Sequence, residues 1–577
     1  MTTAEKTKRE LESETGTWKT LGRPVSLREW LLRPEVMVRL ALTVVFLTYV
    51  RTVLFDFVFD DHLLILMNPW MESWRSVPHV LTHDLWGFQN FHAAKIYYRP
   101  LSLLWLMAIE KLTGGAPGWF HLMSVALLLV VTLEAYVLTR KLLGDWKVAV
   151  LAALLFALHP TKVSSVAWIS GSASDSLSGV FFFATLLAYL KWRETHRTRW
   201  IGWSVAALVV AVLAKETAVL APVLMAVHWW MNEENPWRKM KEFAAILVPN
   251  GAVVCGYLLV RHWVLGSTLS KIPAQWGMML WTLPTVCWWY VKHLTWPVGL
   301  SVYYQRVGVA RPTVGNFVLP GVVLVVLAGG ILWLCRKSKA ALFLYVWFWA
   351  TLAPVLIMSI VVQLADRYLY LAEYAVAVGV AYTVIHGGEK WITAGWLRTG
   401  TAIALVTLCV VGVTKESKYW DDDIALFQEA CKVVPMMEQP RLQLAYLYSD
   451  QGNLGGAIQE LKESEKINPN SVRVWETEGT IYYEHRNFSA ARKAFLRAME
   501  VPDVYRAKAA SAFNLGLLDL GEKKYKPAET WLRLAIAMEP QSTGLHKTLA
   551  IVLRNEGRMQ EATEEDAIEA KIQKSRR

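Results

Sequence analysis

The sequence predicts an all-α chain in two parts, a polytopic bundle of membrane helices followed by an α-solenoid of paired helices. Three observations predict it. Apolar runs of membrane length recur between residues 36 and 414, and about twenty apolar residues suffice to cross the hydrocarbon core. Of the 577 residues 54% are hydrophobic and 29 are Trp, more than a soluble chain of that length carries. Beyond Lys415 the apolar runs stop, charges such as Lys462, Glu463, Glu465 and Lys466 enter, and small residues recur at a fixed period. The expected division is a cytoplasmic tail at 1–34, a membrane domain at 35–414 with an outer loop at 56–118, a linker helix at 415–437 and a repeat domain at 438–577.

The tail carries Lys6, Lys8, Arg9, Lys19, Arg23, Arg28 and Arg33, and no short apolar region with a cleavage site follows it, so it reads as a cytoplasmic tail and not a signal peptide. Further basic clusters lie at Arg140-Lys141 with Lys147, Lys191–Arg199, Arg238-Lys239 with Lys241, Arg336-Lys337 with Lys339, and Lys390 with Arg398. Cytoplasmic loops gather Lys and Arg, so the net charge of +12 reads as topology and not as nucleic-acid binding. The spans then fall at 36–54, 120–139, 149–158, 176–190, 200–213, 217–231, 243–262, 317–334, 341–362, 368–385 and 402–413. These make about eleven helices and put the C-terminus outside. Leu101–Leu112 and Met279–Trp296 break the alternation and read as interfacial or re-entrant helices on the outer side. Cys255, Cys287, Cys335, Cys409 and Cys431 show neither a disulfide framework nor metal-ligand spacing.

In the C-terminal part Ala457, Ala491, Ala528 and Ala562 recur at steps of 34, 37 and 34 residues. Gly479, Gly516 and Ala550 each stand twelve residues before the matching Ala, and Pro469, Pro502 and Pro540 close the first three units. Small residues let paired helices approach, and proline ends each unit. This pattern resembles the tetratricopeptide repeat, whose stacks form a concave surface that holds protein segments.

The chemistry concentrates where the topology places the outer face. Asp60-Asp61 follows the first span, and ionisable residues at that depth carry a high desolvation cost. Arg99 in YYRP, His159-Pro160, Lys215-Glu216 and Asp366-Arg367 reach the same face from four other places in the chain. A carboxylate can take the proton of an attacking hydroxyl, so Asp60 is the candidate base and Asp61 its support. Arg367, Lys215 and Arg99 are candidates for a donor phosphate, since arginine grips two oxygens and lysine acts as a point charge. Glu216, His159, Asp175, Asp366 and Tyr98 are supporting candidates. Each also has a plain reading: a snorkelling side chain or an internal ion pair for the charges, a hydrogen-bonded structural group for His159, and a helix N-cap for Asp175. Trp86, Phe88, Phe91, Tyr97 and Tyr98 either line a sugar-sized pocket or form an interfacial belt. No cofactor is required, and no dedicated metal site is expected. Asp60 and Asp61, with His62, could instead hold Mg or Mn, although adjacent donors at one helix end converge poorly on one ion.

FDDHLLILMNPW (59–70), YYRPLSLLW (97–105), LFALHPTKVSSVAWISG (155–171), AKETAVLAPVL (214–224), WPVGLSVYY (296–304) and ADRYLYL (365–371) occur in that order. Together with the repeat tail they resemble the transmembrane-and-TPR protein O-mannosyltransferases, a branch of the GT-C glycosyltransferases, over roughly residues 36 to 570. The resemblance implies a GT-C-type membrane domain and an inverting hexosyltransferase with a polyprenyl-phosphate-linked sugar as donor. It implies catalytic roles for Asp60 and Asp61 and donor-phosphate contacts from Arg367 and Lys215-Glu216. The chain departs from the family's HPVHTEAVAW and GRAD, with Ser164 at the Glu position, Ser172 at the Arg position, and Ser174 or Asp175 at the Asp position. The family's RYLYLPS ends here in RYLYLAE, with Glu373. These departures leave mannose as one sugar among others.

The expected function is transfer of that sugar to a Ser or Thr hydroxyl of a protein at the outer face, with membrane lipid around the site and the repeat groove presenting the peptide. The alternatives are a GT-C transferase with a lipid or polysaccharide acceptor, and an inactive membrane-anchored scaffold. Short loops favour a bacterial inner membrane, with site and repeats in the periplasm, over an endoplasmic reticulum membrane.

Overall fold

A computed structural model describes residues 33–89, 97–266, 276–305, 307–358, 364–387, 395–502 and 508–576. Nearly all of the expected tail, together with Phe91 and Lys390, lies outside the described residues. Among the described residues the regular structure is helical throughout. The membrane part contains α1 (Pro34–Tyr49), α2 (Val77–Thr82), α3 (Pro100–Thr113), α4 (Pro117–Leu143), α5 (Trp146–Leu158), α6 (Ile169–Thr195), α7 (Arg199–Ala214), α8 (Ala221–Asn232), α9 (Met240–Leu265), α10 (Trp276–Thr295), α11 (Leu319–Cys335), α12 (Lys339–Met358), α13 (Ala372–Tyr382) and α14 (Gly395–Ser417). Among the described residues seven segments are long and apolar enough to cross a membrane: Pro34–Leu54, Pro117–Leu143, Ile169–Thr195, Met240–Leu265, Val314–Cys335, Lys339–Leu356 and Gly395–Trp420. α5 and α7 are shorter apolar helices.

The spans expected at 217–231 and 368–385 are each broken, with short 3-10 turns at Glu216–Leu220 and Asp366–Leu369 ahead of α8 and α13. Of the two segments expected at the interface, α3 packs Leu103, Leu106 and Ile109 into a cluster with Phe120 and Ile169. α10 sets Val286 and Tyr290 against Leu352 and Val355 of α12.

α6 is the central helix. Every residue from Ile169 to Val180 is buried, including Ser170, Ser172, Ser174, Ser176 and Ser178. Two of those hydroxyls reach backbone carbonyls near helix ends, where intrahelical partners run out. Ser178 donates to the Ala211 carbonyl at 3.0 Å and Ser176 to the Ser165 carbonyl at 2.8 Å. Ser102 of α3 donates to the Ala214 carbonyl at 2.9 Å, where α7 ends. A helix that stops at membrane depth needs such donors, because water is absent there.

The basic loops gather at one end of the bundle. Arg193 meets Glu233 at 3.2 Å, Lys239 meets the same carboxylate at 2.9 Å, and His386 meets Asp145 at 2.8 Å. Asp145 also caps α5 by accepting the Lys147 amide. The other end carries the C-terminus of α5, the start of α6, the break after α7 and the loops at 55–61 and 296–304.

A short helix, α15 (Asp423–Val433), follows α14 and leads into four helix pairs: α16 (Glu438–Asp450) with α17 (Leu454–Ile467), α18 (Val472–Glu484) with α19 (Phe488–Glu500), α20 (Ala509–Gly521) with α21 (Tyr525–Met538), and α22 (Leu545–Asn555) with α23 (Met559–Arg576). The recurring alanines 457, 491, 528 and 562 are all at most 1% exposed. A Cβ on Gly479 would stand 2.5 Å from Phe495 Cε1, and one on Gly516 would stand 2.9 Å from Leu532 Cγ. The small residues therefore mark helix crossings, as the repeat period implies.

Candidate active site

After α1 the chain passes through the 3-10 turn Val50–Leu54 into an extended stretch that ends at Phe59, a non-glycine residue with φ of 56°. Such left-handed residues carry strain and persist only where neighbours hold them. The turn separates the two carboxylates that follow. Asp61 is fully buried and accepts from the Ser170 amide at 2.8 Å, the Ser170 hydroxyl and, at 3.5 Å, the Val58 amide. Burial pushes it up to about 7 against these hydrogen bonds. Asp60 lines a small pocket shared with Tyr97, Arg99, Trp168, Asp175 and Arg367. Burial raises Asp60 to about 6, with Arg367 pulling the other way.

Three cations reach this region in different states. Arg99, 7% exposed, immediately precedes Pro100 at the start of α3 and grips both oxygens of Glu216, at 2.9 and 2.6 Å. That fork outweighs the burial that would raise Glu216 and holds it at about 2. Lys215 takes an extended backbone after α7 and binds Asp175 of α6. Arg367 has no carboxylate within ion-pair distance among the described residues. Its guanidinium lies 4.4 Å from the centre of the Trp168 ring. Arg367 and Asp175 also line a small adjoining pocket with Lys215, Tyr368 and Tyr370.

The supporting candidates divide. Asp175 lines both cavities, and Glu216 is engaged by Arg99. Asp366 turns away from its neighbour Arg367 and accepts from the Tyr304 hydroxyl at 2.5 Å, so the ion pair open in the sequence is not formed. Tyr98 also turns away, donating to the Leu81 carbonyl at 2.9 Å and packing on Tyr257, whereas Tyr97 lines the cavity with Trp86. Phe88 stands against Trp70 and Trp86. His159 bridges Thr161 at 2.7 Å and the Leu294 carbonyl at 2.9 Å, and stands 3.6 Å from the Glu373 carboxylate.

Sequence reasoning missed three features. Lys162, 1% exposed, pairs with Glu373, which also accepts from Thr161. The two residues are replacements within neighbouring motifs, Lys162 in HPTKVSS and Glu373 after RYLYL, and that coincidence was the available signal. Ser170 and Trp168, in the same motif, hold Asp61 and Arg367. Asp423, in the linker, accepts from His62 and from the Phe59 amide, both at 2.7 Å.

At the acidic pair the three candidate donors for a divalent ion face different ways. Asp60 faces the cavity, Asp61 faces Ser170, and His62 is taken by Asp423. Among the described residues no three His, Cys, Asp or Glu side chains gather as metal ligands.

The tetratricopeptide-repeat profile matches residues 439–471, which covers the pair α16 and α17. The chain is 33% identical to Protein O-mannosyl-transferase Tmtc1 of Drosophila melanogaster over 187 residues, 31% of this chain and 21% of that protein. It is 29% identical to Tmtc2 of Drosophila melanogaster over 228 residues, 36% and 23% of the two chains. Against human TMTC4 it is 31% identical over 194 residues, 30% and 26% of the two chains. The matched segment thus spans about a quarter or less of the length of these curated relatives. The apo oligosaccharyltransferase of Archaeoglobus fulgidus aligns with a TM-score of 0.39 and 13% identity, over 74% of this chain and 60% of that one. A likeness at that score carries no inference. The similarity to these curated protein O-mannosyltransferases covers about a third of this chain, and the repeat identity rests on its own profile.

Proposed function

We propose that the chain is a GT-C-type membrane hexosyltransferase that moves a sugar from a polyprenyl-phosphate carrier to a Ser or Thr hydroxyl of a protein. The observation that carries this reading is the shared pocket, lined by both the Asp60 carboxylate and the Arg367 guanidinium, which has no carboxylate at ion-pair distance among the described residues. The acceptor hydroxyl oxygen attacks the anomeric carbon. Asp60 takes the hydroxyl proton, the carbon–phosphate-oxygen bond breaks, and the carrier phosphate leaves with the bonding pair. One displacement inverts the anomeric centre. Arg367 is the phosphate ligand, because a preorganised cation stabilises charge where it develops. Arg99 and Lys215 are already neutralised by Glu216 and Asp175 and act as the walls of the phosphate site. Asp61 anchors the loop that carries Asp60. No metal takes part in this scheme.

The names of the curated relatives support a protein acceptor, and the tetratricopeptide stack supports presentation of a peptide. The sugar is mannose or another hexose. The charge pattern supports an outer-face site, periplasmic in a bacterial inner membrane or lumenal in an endoplasmic reticulum membrane. The test is transfer of radiolabelled sugar from polyprenyl-phosphate donors to a Ser/Thr peptide by wild type and Asp60→Asn. Loss of about a hundredfold or more in Asp60→Asn is expected for a general base. Equal transfer by both removes Asp60 from the mechanism.

A further inference from the structure

The linker that joins the membrane bundle to the repeat stack does more than connect them. It reaches the acidic loop at four points. Asp423 Oδ1 accepts from the Phe59 amide and Asp423 Oδ2 meets His62 Nε2, each at 2.7 Å. The Asp56 amide donates to the Asp421 carbonyl at 3.3 Å. Phe427 packs on Phe59 and Tyr303 at ring separations of 6.1 and 6.2 Å. Trp420 stacks on Trp168 at 6.1 Å and 22°. Trp168 is the ring beneath Arg367, so the linker also touches the cation side of the cavity.

Phe59 is the residue whose left-handed backbone turns the next residue, Asp60, toward the cavity while Asp61 goes to Ser170. A strained backbone needs an external hold. The Phe59 amide is held by a carboxylate 364 positions away, at the start of the helix that leads into the repeats. A charge-assisted hydrogen bond is the stronger kind, and a carboxylate in the first turn of α15 is also favoured by that helix's dipole.

We propose that Asp423 is a positioning residue for the acidic pair: by anchoring Phe59 and His62 it sets the direction of Asp60, and so couples the peptide-holding repeat domain to the transfer site. The coupling to transfer rests on the transferase reading above, while the anchoring does not. Movement of α15 when the repeat groove is filled would act on Asp60 through two hydrogen bonds and two aromatic contacts.

The test uses the full-length protein in lipid nanodiscs. Amide hydrogen exchange of the peptide covering residues 57–63 is compared in wild type, Asp423→Asn and Asp423→Ala, alongside kcat and donor KM with a polyprenyl-phosphate sugar. Asparagine keeps an oxygen acceptor for the Phe59 amide, so exchange close to wild type is expected there. Alanine removes it, and exchange at least about tenfold faster is expected. In Asp423→Ala kcat falls about tenfold or more while donor KM stays within about twofold, because misplacing a base costs rate without touching phosphate binding. The acid limb of the pH profile shifts in the same variant, since Asp60 moves relative to Arg367. His62→Ala, which spares the Phe59 bond, gives a smaller fall in kcat. Unchanged exchange in Asp423→Ala, or faster exchange with unchanged kcat, overturns the proposal. Should the wild-type protein transfer no sugar from any polyprenyl-phosphate donor, the transferase reading fails and exchange alone decides the anchor: faster exchange upholds it and unchanged exchange ends it.

Discussion

The cavity end of the membrane bundle and the repeat stack are held together by opposite means. Around the cavity a few desolvated ion pairs join residues far apart in sequence, such as Arg99 with Glu216 across 117 positions and Lys215 with Asp175. In the repeats, small residues at a fixed period let neighbouring helices meet, and many ion pairs are exposed, as with Arg497 and Glu500 of α19. The difference teaches where single substitutions matter. A buried charge that loses its partner has no water to turn to, whereas an exposed pair exchanges one solvated state for another.

The sharpest way to break this comparison is Glu216→Gln. It leaves Arg99 buried without its counter-charge, and a loss of about 3 kcal/mol of stability is expected. Thermal unfolding in nanodiscs reads it as a lower Tm. A Tm equal to wild type would mean that the pair contributes as little as a surface pair. Next is Gly479→Ala, where the new methyl meets the Phe495 ring. Overpacking there costs about 1–3 kcal/mol, read from the unfolding midpoint of the repeat domain by circular dichroism.

The acidic pair sharpens the comparison through pH. Asp60 sits at about 6, and a base works only when ionised, so transfer rises with pH and levels off above that value. Below about pH 5 the rate should fall about tenfold per unit. Asp61 sits at about 7, above the ordinary carboxylate range, so the folded state binds its proton more tightly than the unfolded state does. Its contribution to stability is therefore greatest at low pH and is lost as pH rises through that value. Activity and this part of stability move in opposite directions, and a rate that rises as pH falls would contradict the assignment of Asp60. The smallest effect is expected for Arg497→Ala, whose partner is as exposed as it is. Its Tm should match wild type within error.

The same contrast decides what could be read from sequence. The four helix pairs were legible because Ala457, Ala491, Ala528 and Ala562 repeat a local packing rule. The membrane class was legible from apolar runs, and Asp60, Arg99 and Arg367, distant in sequence, line one pocket. The pairings inside the site were not legible, because nothing local to Arg99 says that it meets Glu216, and nothing local to Arg367 says that it lies over Trp168. Nor does the periodicity at 217–231 and 368–385 show the helix breaks; at the first of them Ser102 and Ser178 reach across from other helices to the Ala214 and Ala211 carbonyls. Tyr98 and Tyr97 are adjacent and chemically alike, and only the packing of Tyr98 on Tyr257 separates wall from cavity.

The most direct measurement is donor affinity and transfer taken together, with one polyprenyl-phosphate sugar, for wild type, Arg367→Gln and Asp60→Asn. If the cavity joins a phosphate ligand to a base, Arg367→Gln loses about tenfold or more in donor affinity, and Asp60→Asn binds donor as wild type does yet transfers no sugar. Donor binding unaffected by Arg367→Gln, together with transfer undiminished in Asp60→Asn, would contradict the account.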